Sequence, residues 1–155
     1  MDKIDLQLLR ELSLRGRTTS VELADAVHLS TSAVARRQKA LEDAGLIKGY
    51  RASLDLTQFG FCTTVVVQIA LSTQKEAGLE EFERAVQACG NVLRCMLMSG
   101  SNDYLLILLV RDLQDFGRVH KTQLSRLPNV ARIESSFALR EVVSRSVPLE
   151  VFDRS

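Results

Sequence analysis

Tryptophan is absent, and histidine, proline and cysteine are scarce, at two, two and three residues in 155. Cys62, Cys89 and Cys95 are odd in number and not closely spaced, which argues against a disulfide framework and against a zinc site. A reducing cytoplasm is the expected compartment. Only His28 and His120 are available for imidazole chemistry. A lone histidine on a helix is usually a surface residue, and no G-x-S-x-G, H-E-x-x-H or phosphate-loop pattern occurs. No cofactor is expected. The longest apolar run, Tyr104 to Val110, is far too short to cross a bilayer and is expected to be a buried strand. The opening MDKIDL has no apolar signal core. Nothing in the chain reads as a repeat or a low-complexity tract.

What remains is an ordinary globular composition, 46% apolar and 25% charged, with a formal net charge of only +1. A chain of 155 residues allows one medium domain or two small ones. The positive charge is local. Between residues 28 and 51, Arg36, Arg37, Lys39, Lys48 and Arg51 face only Glu42 and Asp43, a net of +3. From residue 62 onward, eleven basic and eleven acidic side chains cancel. A phosphate footprint needs local charge of this kind, because each neutralised phosphate releases counterions.

Helix signals frame that basic region. Ile4, Leu8, Leu9 and Leu12 give residues 2–14 an apolar stripe, and Gly16 ends it. Thr19 or Ser20 can cap a second helix, with Glu22 in its first turn and Val21, Leu23, Ala24 and Val27 at helical spacing. His28 and Leu29 make a turn, Ser30 caps a third helix running to about Ala44, and Gly45 closes it. So tight a link forces the second and third helices to cross steeply, as in a helix-turn-helix. Ala33, Val34, Leu41 and Ala44 are expected inward. Thr31, Ser32, Ala35, Arg36 and Lys39 are expected to face a ligand, and Arg37 to hold a phosphate or pair with an acid. Ile47 and Tyr50 flank Lys48-Gly49, and the alternation from Ala52 to Leu56 reads as a small wing. The candidate contacts to double-stranded DNA are Ser30, Thr31, Ser32, Arg36, Arg37 and Lys39. Arg36 is the best base reader, since arginine recognises guanine bidentately, and Arg37 and Lys39 suit phosphate.

The second half changes character. Residues 62–71 are β-branched and nearly continuous; 75–89 and 112–127 have helical spacing; 92–98, 104–110 and 130–139 read as strands, with Val142 to Ser146 as a further edge. The order βαββαβ predicts a ferredoxin-like domain with both helices on one face of the sheet. The whole chain is therefore expected to be α+β: a winged helix-turn-helix over 1–53, a linker strand over 54–61 and the ferredoxin-like domain over 62–155. In the first strand of that domain, Thr64, Val66, Gln68 and Ala70 alternate with Val65, Val67, Ile69 and Leu71. Both sheet faces are thus largely apolar, and a second copy packed face to face in a homodimer is the simplest cover. A dimer would also offer two recognition helices to successive half-sites.

This layout resembles the Lrp/AsnC, or feast/famine, family of transcriptional regulators along essentially the whole chain. The matching residues are Asp5, Gly16-Arg17, Leu29-Ser30, Arg36-Arg37, Leu41-Glu42, Gly45-Leu46-Ile47 and Gly49-Tyr50-Arg51-Ala52. In the second half they are Ser99-Gly100, Asp103-Tyr104-Leu105-Leu106 and Leu127-Pro128. Each motif is short, and their order and spacing carry the resemblance. Gln38 departs from it, standing where relatives carry an aliphatic residue, and Ala35 departs in a way that would relax base readout.

The resemblance implies a DNA-binding regulator that dimerises and often forms octamers, and a small effector, commonly an amino acid, bound by the C-terminal domain. It implies that the loop Ser99, Gly100, Ser101, Asn102 and Asp103, with Tyr104, forms part of the effector pocket, and that a neighbouring dimer adds Ser135 and Ser136. Gly100 would let backbone amides reach a carboxylate, and Asp103 would take an α-ammonium; the plain alternative for Asp103 is a turn acid. Two other functions stay open: a sirohaem-decarboxylase-like enzyme, which in such proteins uses histidines of the C-terminal domain, and a ligand sensor that no longer binds DNA.

Overall fold

The computed structural model of the chain describes residues 1–153, which divide into two compact units. Met1–Leu54, joined by the C-terminal segment from Val143 on, form the first, and Asp55–Val142 form the second. Among the described residues no helix is long and apolar enough to cross a membrane.

The first unit is built from α1 (Lys3–Arg15), α2 (Ser20–Val27) and α3 (Thr31–Asp43). Side chains at each start satisfy backbone donors that a helix leaves unpaired. Asp2 and Asp5 make a reciprocal capping box, each backbone N–H donating to the other's carboxylate at 2.9 Å. Thr19 and Glu22 repeat the arrangement at α2. Ser30 Oγ accepts from Ala33 N at 3.3 Å at α3. Between α2 and α3, His28 adopts a left-handed conformation (φ 54°), which turns the chain sharply. Leu8, Leu12, Leu23, Ala24, Val27 and Val34 close the core. On α3, Val34 and Leu41 are buried as expected, whereas Ala44, at the C-cap, is exposed.

The segment after α3 has no strand ladder, so the expected β wing is an irregular loop. The reason is local. Leu46 and Ile47 donate their N–H groups to the Leu41 carbonyl, at 3.0 and 3.2 Å, to finish the helix. Those donors are then unavailable to a hairpin. The expected linker strand over 54–61 is instead a 3₁₀ turn at Leu56–Phe59, capped by Asp55 and closed by Gly60 at φ 80°. Val142 to Ser146 adds no edge strand. From Val143 the chain joins the first unit, where the 3₁₀ turn Leu149–Phe152 packs against α1.

The second unit runs β1 (Thr63–Leu71), α4 (Glu76–Val86), β2 (Val92–Leu97), β3 (Tyr104–Val110), α5 (Leu113–Thr122) and β4 (Val130–Phe137). Its sheet has the order β2-β3-β1-β4 with every neighbouring pair antiparallel, the ferredoxin-like arrangement expected. Val65, Val67, Ile69 and Leu71 alternate with half-buried neighbours along β1, and Tyr104, Leu106, Leu108 and Val110 do the same on β3. These buried rows pack with Phe82 and Val86 of α4 and Phe116 and Val119 of α5. Burial raises the Cys89 thiol, and burial with the nearby Glu83 raises Cys95 to about 11, so both stay protonated at neutral pH.

The opposite sheet face has no helix. Val66, Leu105, Ile107 and Leu109 lie half-buried on it, with Met96 40% exposed beside them.

Candidate nucleic-acid interface and effector hollow

Strand and helix periodicity decide which candidate side chains reach the surface. On α3, Thr31, Ser32, Arg36 and Lys39 are exposed, with Ser30 at the cap. The Ser30 and Ser32 hydroxyls lie 3.2 Å apart. Lys39 makes only a loose, fully solvated pair with Asp43 at 3.6 Å, which a phosphate can displace. Arg36 pairs with no carboxylate among the described residues. It is a free cation on the open side of the second helix of a helix-turn-helix, where a base edge can be read.

Arg37 is placed differently. Its Nη1 donates to Asp5 at 2.7 Å and Asp2 at 2.8 Å. Both carboxylates act on it, Asp5 first, and hold the guanidinium still more firmly protonated. Of the two roles expected for Arg37, the structure shows the acid pair: through Nη1 the residue clamps α3 to the start of α1. Gln38 also turns inward. Its Nε2 donates to the Tyr50 hydroxyl at 2.7 Å, and that hydroxyl donates to Glu42 Oε1 at 2.7 Å. A glutamine where an aliphatic residue would only pack therefore ties the loop after α3 back onto α3. Partial burial and the Glu42 carboxylate raise the Tyr50 pKa, so the phenol stays a donor.

In the second unit, the turn between β2 and β3 borders a hollow of about 240 Å³, lined by Gln68, Met98, Ser99, Gly100, Ser101, Asn102, Tyr104 and Leu105. Gly100 has φ 135°, a conformation open to glycine, and no atom crowds the position of a Cβ there. Asn102 Nδ2 donates to Gln68 Oε1 at 2.6 Å, and its Oδ1 accepts from Arg132 Nη2 at 3.0 Å. One amide thus joins the loop to β1 and β4. Gln68 and Arg132 escaped the sequence reading, because their partnership with Asn102 exists only once β1 and β4 pair.

Three expected effector residues stand apart from this hollow. Asp103 braces the loop instead: its carboxylate accepts from Leu71 N at 2.7 Å and from Gln74 Nε2 at 3.2 Å. Its backbone N–H also donates to Ile69 O at 2.8 Å. Ser135 and Ser136 pair with Val67 and Val66, so they point to opposite faces of β4, and neither lines the hollow of this chain. Tyr104 borders the hollow, but its ring is 1% exposed, lies 4.4 Å from the Phe82 ring, and donates its hydroxyl to Glu83 at 2.8 Å. It is a core residue. His28 belongs to the turn of the first unit and His120 packs edge-on against Phe116 of the second. Among the described residues no three His, Cys, Asp or Glu side chains gather as metal ligands.

Known proteins share this build. Residues 64–148 match the Lrp/AsnC ligand binding domain, and residues 1–48 match a winged helix-turn-helix DNA-binding family. The Bkd operon transcriptional regulator of Pseudomonas aeruginosa is 36% identical over 96% of this chain and 97% of its own length. The proline dehydrogenase transcriptional activator of Rhodobacter capsulatus is 35% identical over 96% of each. A transcriptional regulator from Neisseria meningitidis, solved in complex with L-Met, superimposes with a TM-score of 0.89 at 32% identity, covering 96% of this chain and 97% of its own.

Proposed function

This chain belongs to the Lrp/AsnC family, and from that premise we propose that it is a sequence-specific DNA-binding transcriptional regulator whose activity or assembly responds to a small effector, an amino acid. The observation that carries the DNA half is Arg36, exposed and unpaired on the outer side of α3. Ser30, Thr31, Ser32 and Lys39 flank it and serve as backbone and groove contacts. Arg37 contributes by fixing the angle of α3 against α1 through Asp2 and Asp5.

The effector half rests on the hollow beside Ser99, Gly100, Ser101 and Asn102. Loop amides at Gly100 suit an α-carboxylate. Gln68 and Asn102 offer polar atoms, and Met98 and Leu105 offer an apolar wall for a side chain. The neighbour solved with L-Met supports an amino acid as the ligand class. Ser135 and Ser136, on an exposed edge strand, are contributions to a neighbouring dimer's site.

The helix-free sheet face supports self-association. Val66, Leu105, Ile107 and Leu109 would be covered by the same face of a second copy about a two-fold axis, with octamers built from such dimers. The protein would act in the cytoplasm, where its DNA is, and with no catalytic step. A thermal-shift screen of the purified chain against the twenty amino acids tests the effector reading, because a ligand that binds the folded state raises its melting temperature by mass action. Stabilisation by one or a few of them, coupled to a change in DNA affinity, is the expected result.

A further inference from the structure

Away from the exposed residues of α3, the first unit carries a second basic feature. A cleft of about 440 Å³ is bordered by Arg15, Arg17 and Thr18, from the connection between α1 and α2, and by Gln38, Tyr50 and Arg51, from α3 and the loop that follows it. Two segments far apart in sequence thus bring three arginines to the border of one hollow. Arg15 is partly neutralised by Glu11 at 3.4 Å. Arg17 and Arg51 have no carboxylate within 4.0 Å among the described residues.

The walls of this cleft are fixed. Gly16 at φ 66° donates to Leu12 O at 2.9 Å and folds the chain back, and Arg17 N donates to Arg15 O at 2.7 Å. Opposite, Tyr50 is held by Gln38 and Glu42, so Arg51 follows an anchored residue. Guanidinium forks match the oxygen geometry of a phosphate bidentately. Two neighbouring arginines without a carboxylate partner, Arg17 and Arg51, are what such an anion needs.

We propose that this cleft binds a phosphate group, with Arg17 and Arg51 as the principal ligands and Arg15 at the margin. The phosphate comes either from the DNA backbone beside the recognition helix, in which case the site deepens the DNA-binding reading above, or from a free oligophosphate.

The test uses the full chain, a fluorescent DNA duplex and inorganic tripolyphosphate. The variant is Arg17→Gln with Arg51→Gln; both residues are exposed, so the fold should survive, and far-ultraviolet circular dichroism checks this. Arg17→Lys with Arg51→Lys restores charge without the fork. If the backbone is the source, the slope of log affinity against log salt falls by about 1.8 in the glutamine variant, since each lost phosphate contact removes about 0.9. Sequence discrimination by Arg36 stays intact. If a free oligophosphate is the source, the slope is unchanged, tripolyphosphate raises the melting temperature of the native chain, and the glutamine variant loses that response. An unchanged slope together with an unchanged response to tripolyphosphate overturns the proposal. A native chain that binds no duplex refutes the DNA reading alone, and the tripolyphosphate arm still decides the cleft.

Discussion

Arg37 places its guanidinium 2.7 Å from the Asp5 carboxylate, so a residue of the basic third helix is held by the first helix. The same nitrogen reaches Asp2 at 2.8 Å, and Asp2 and Asp5 together cap α1. Capping and clamping are therefore one network. Arg37→Ala should lower the melting temperature, because it leaves two neighbouring carboxylates without their cation. It should leave the salt slope of DNA binding unchanged if Asp2 and Asp5, rather than a phosphate, are the partners of Arg37 in the complex. Anisotropy titrations at several salt concentrations check this; a slope reduced by about one contact would return Arg37 to the phosphate set.

Acid should loosen the same unit. The backbone N–H and hydroxyl of Thr19 hold the Glu22 carboxylate below its ordinary value of 4.5. The Asp5 backbone N–H, with Arg37, does the same for Asp2, whose ordinary value is 3.8. A depressed folded-state pKa contributes stability that is complete above the ordinary value and is lost as pH falls through the folded one. Thermal melts between pH 7 and pH 2 should therefore be nearly flat down to about 4.5 and fall below it. Glu22→Gln should shrink that fall. An equal fall in the variant would place the acid sensitivity elsewhere.

Asp103 offers a sharper separation of structure from ligand. Alanine there strands the Leu71 N–H, a part-buried donor, and should cost ~1–3 kcal/mol in urea unfolding. Asparagine keeps an acceptor for Leu71 while losing the charge that an α-ammonium requires. Asp103→Asn should thus keep both the fold and the effector response. If it folds normally and loses the response, the carboxylate holds the ammonium after all. Tyr104→Phe should likewise cost ~0.5–1.5 kcal/mol for the lost bond to Glu83 without altering effector affinity.

These residues show where sequence reading succeeds and where it stops. Ser30, Thr19 and the apolar stripe of α1 act within a few residues of themselves, so spacing alone predicts them. The βαββαβ order was legible for the same reason, since each strand carries its own β-branched or alternating pattern. The wing was not. Lys48-Gly49 between apolar residues looks like a hairpin, but the choice was made by Leu41, whose carbonyl captures the donors of Leu46 and Ile47. Asp103 and Tyr104 lie in the matching motif, yet their partners Leu71, Gln74 and Glu83 are brought to them only by the folded sheet and α4. Position on the chain singled out the loop that borders the hollow and could not say which of its side chains line it.

The open sheet face and the recognition helix should be separable by mutation. Ile107 sits on the helix-free face, opposite Val66 on β1 and Arg94 on β2, and packs on no helix. Ile107→Glu should therefore leave the monomer fold near native, where Arg94 can pair with the new carboxylate, while burying that charge in the proposed two-fold interface, where its desolvation is costly. Sedimentation should show the mass fall to that of a monomer, 17.3 kDa. DNA affinity should fall with it, because one recognition helix then binds without its partner. Arg36→Ala should do the converse, keeping the native sedimentation while specific affinity drops by roughly 1–3 kcal/mol at fixed salt, the usual worth of a bidentate base contact. If Ile107→Glu sediments as the native chain does, the self-association surface lies elsewhere; if Arg36→Ala binds as tightly as the native chain, α3 reads its site through other side chains.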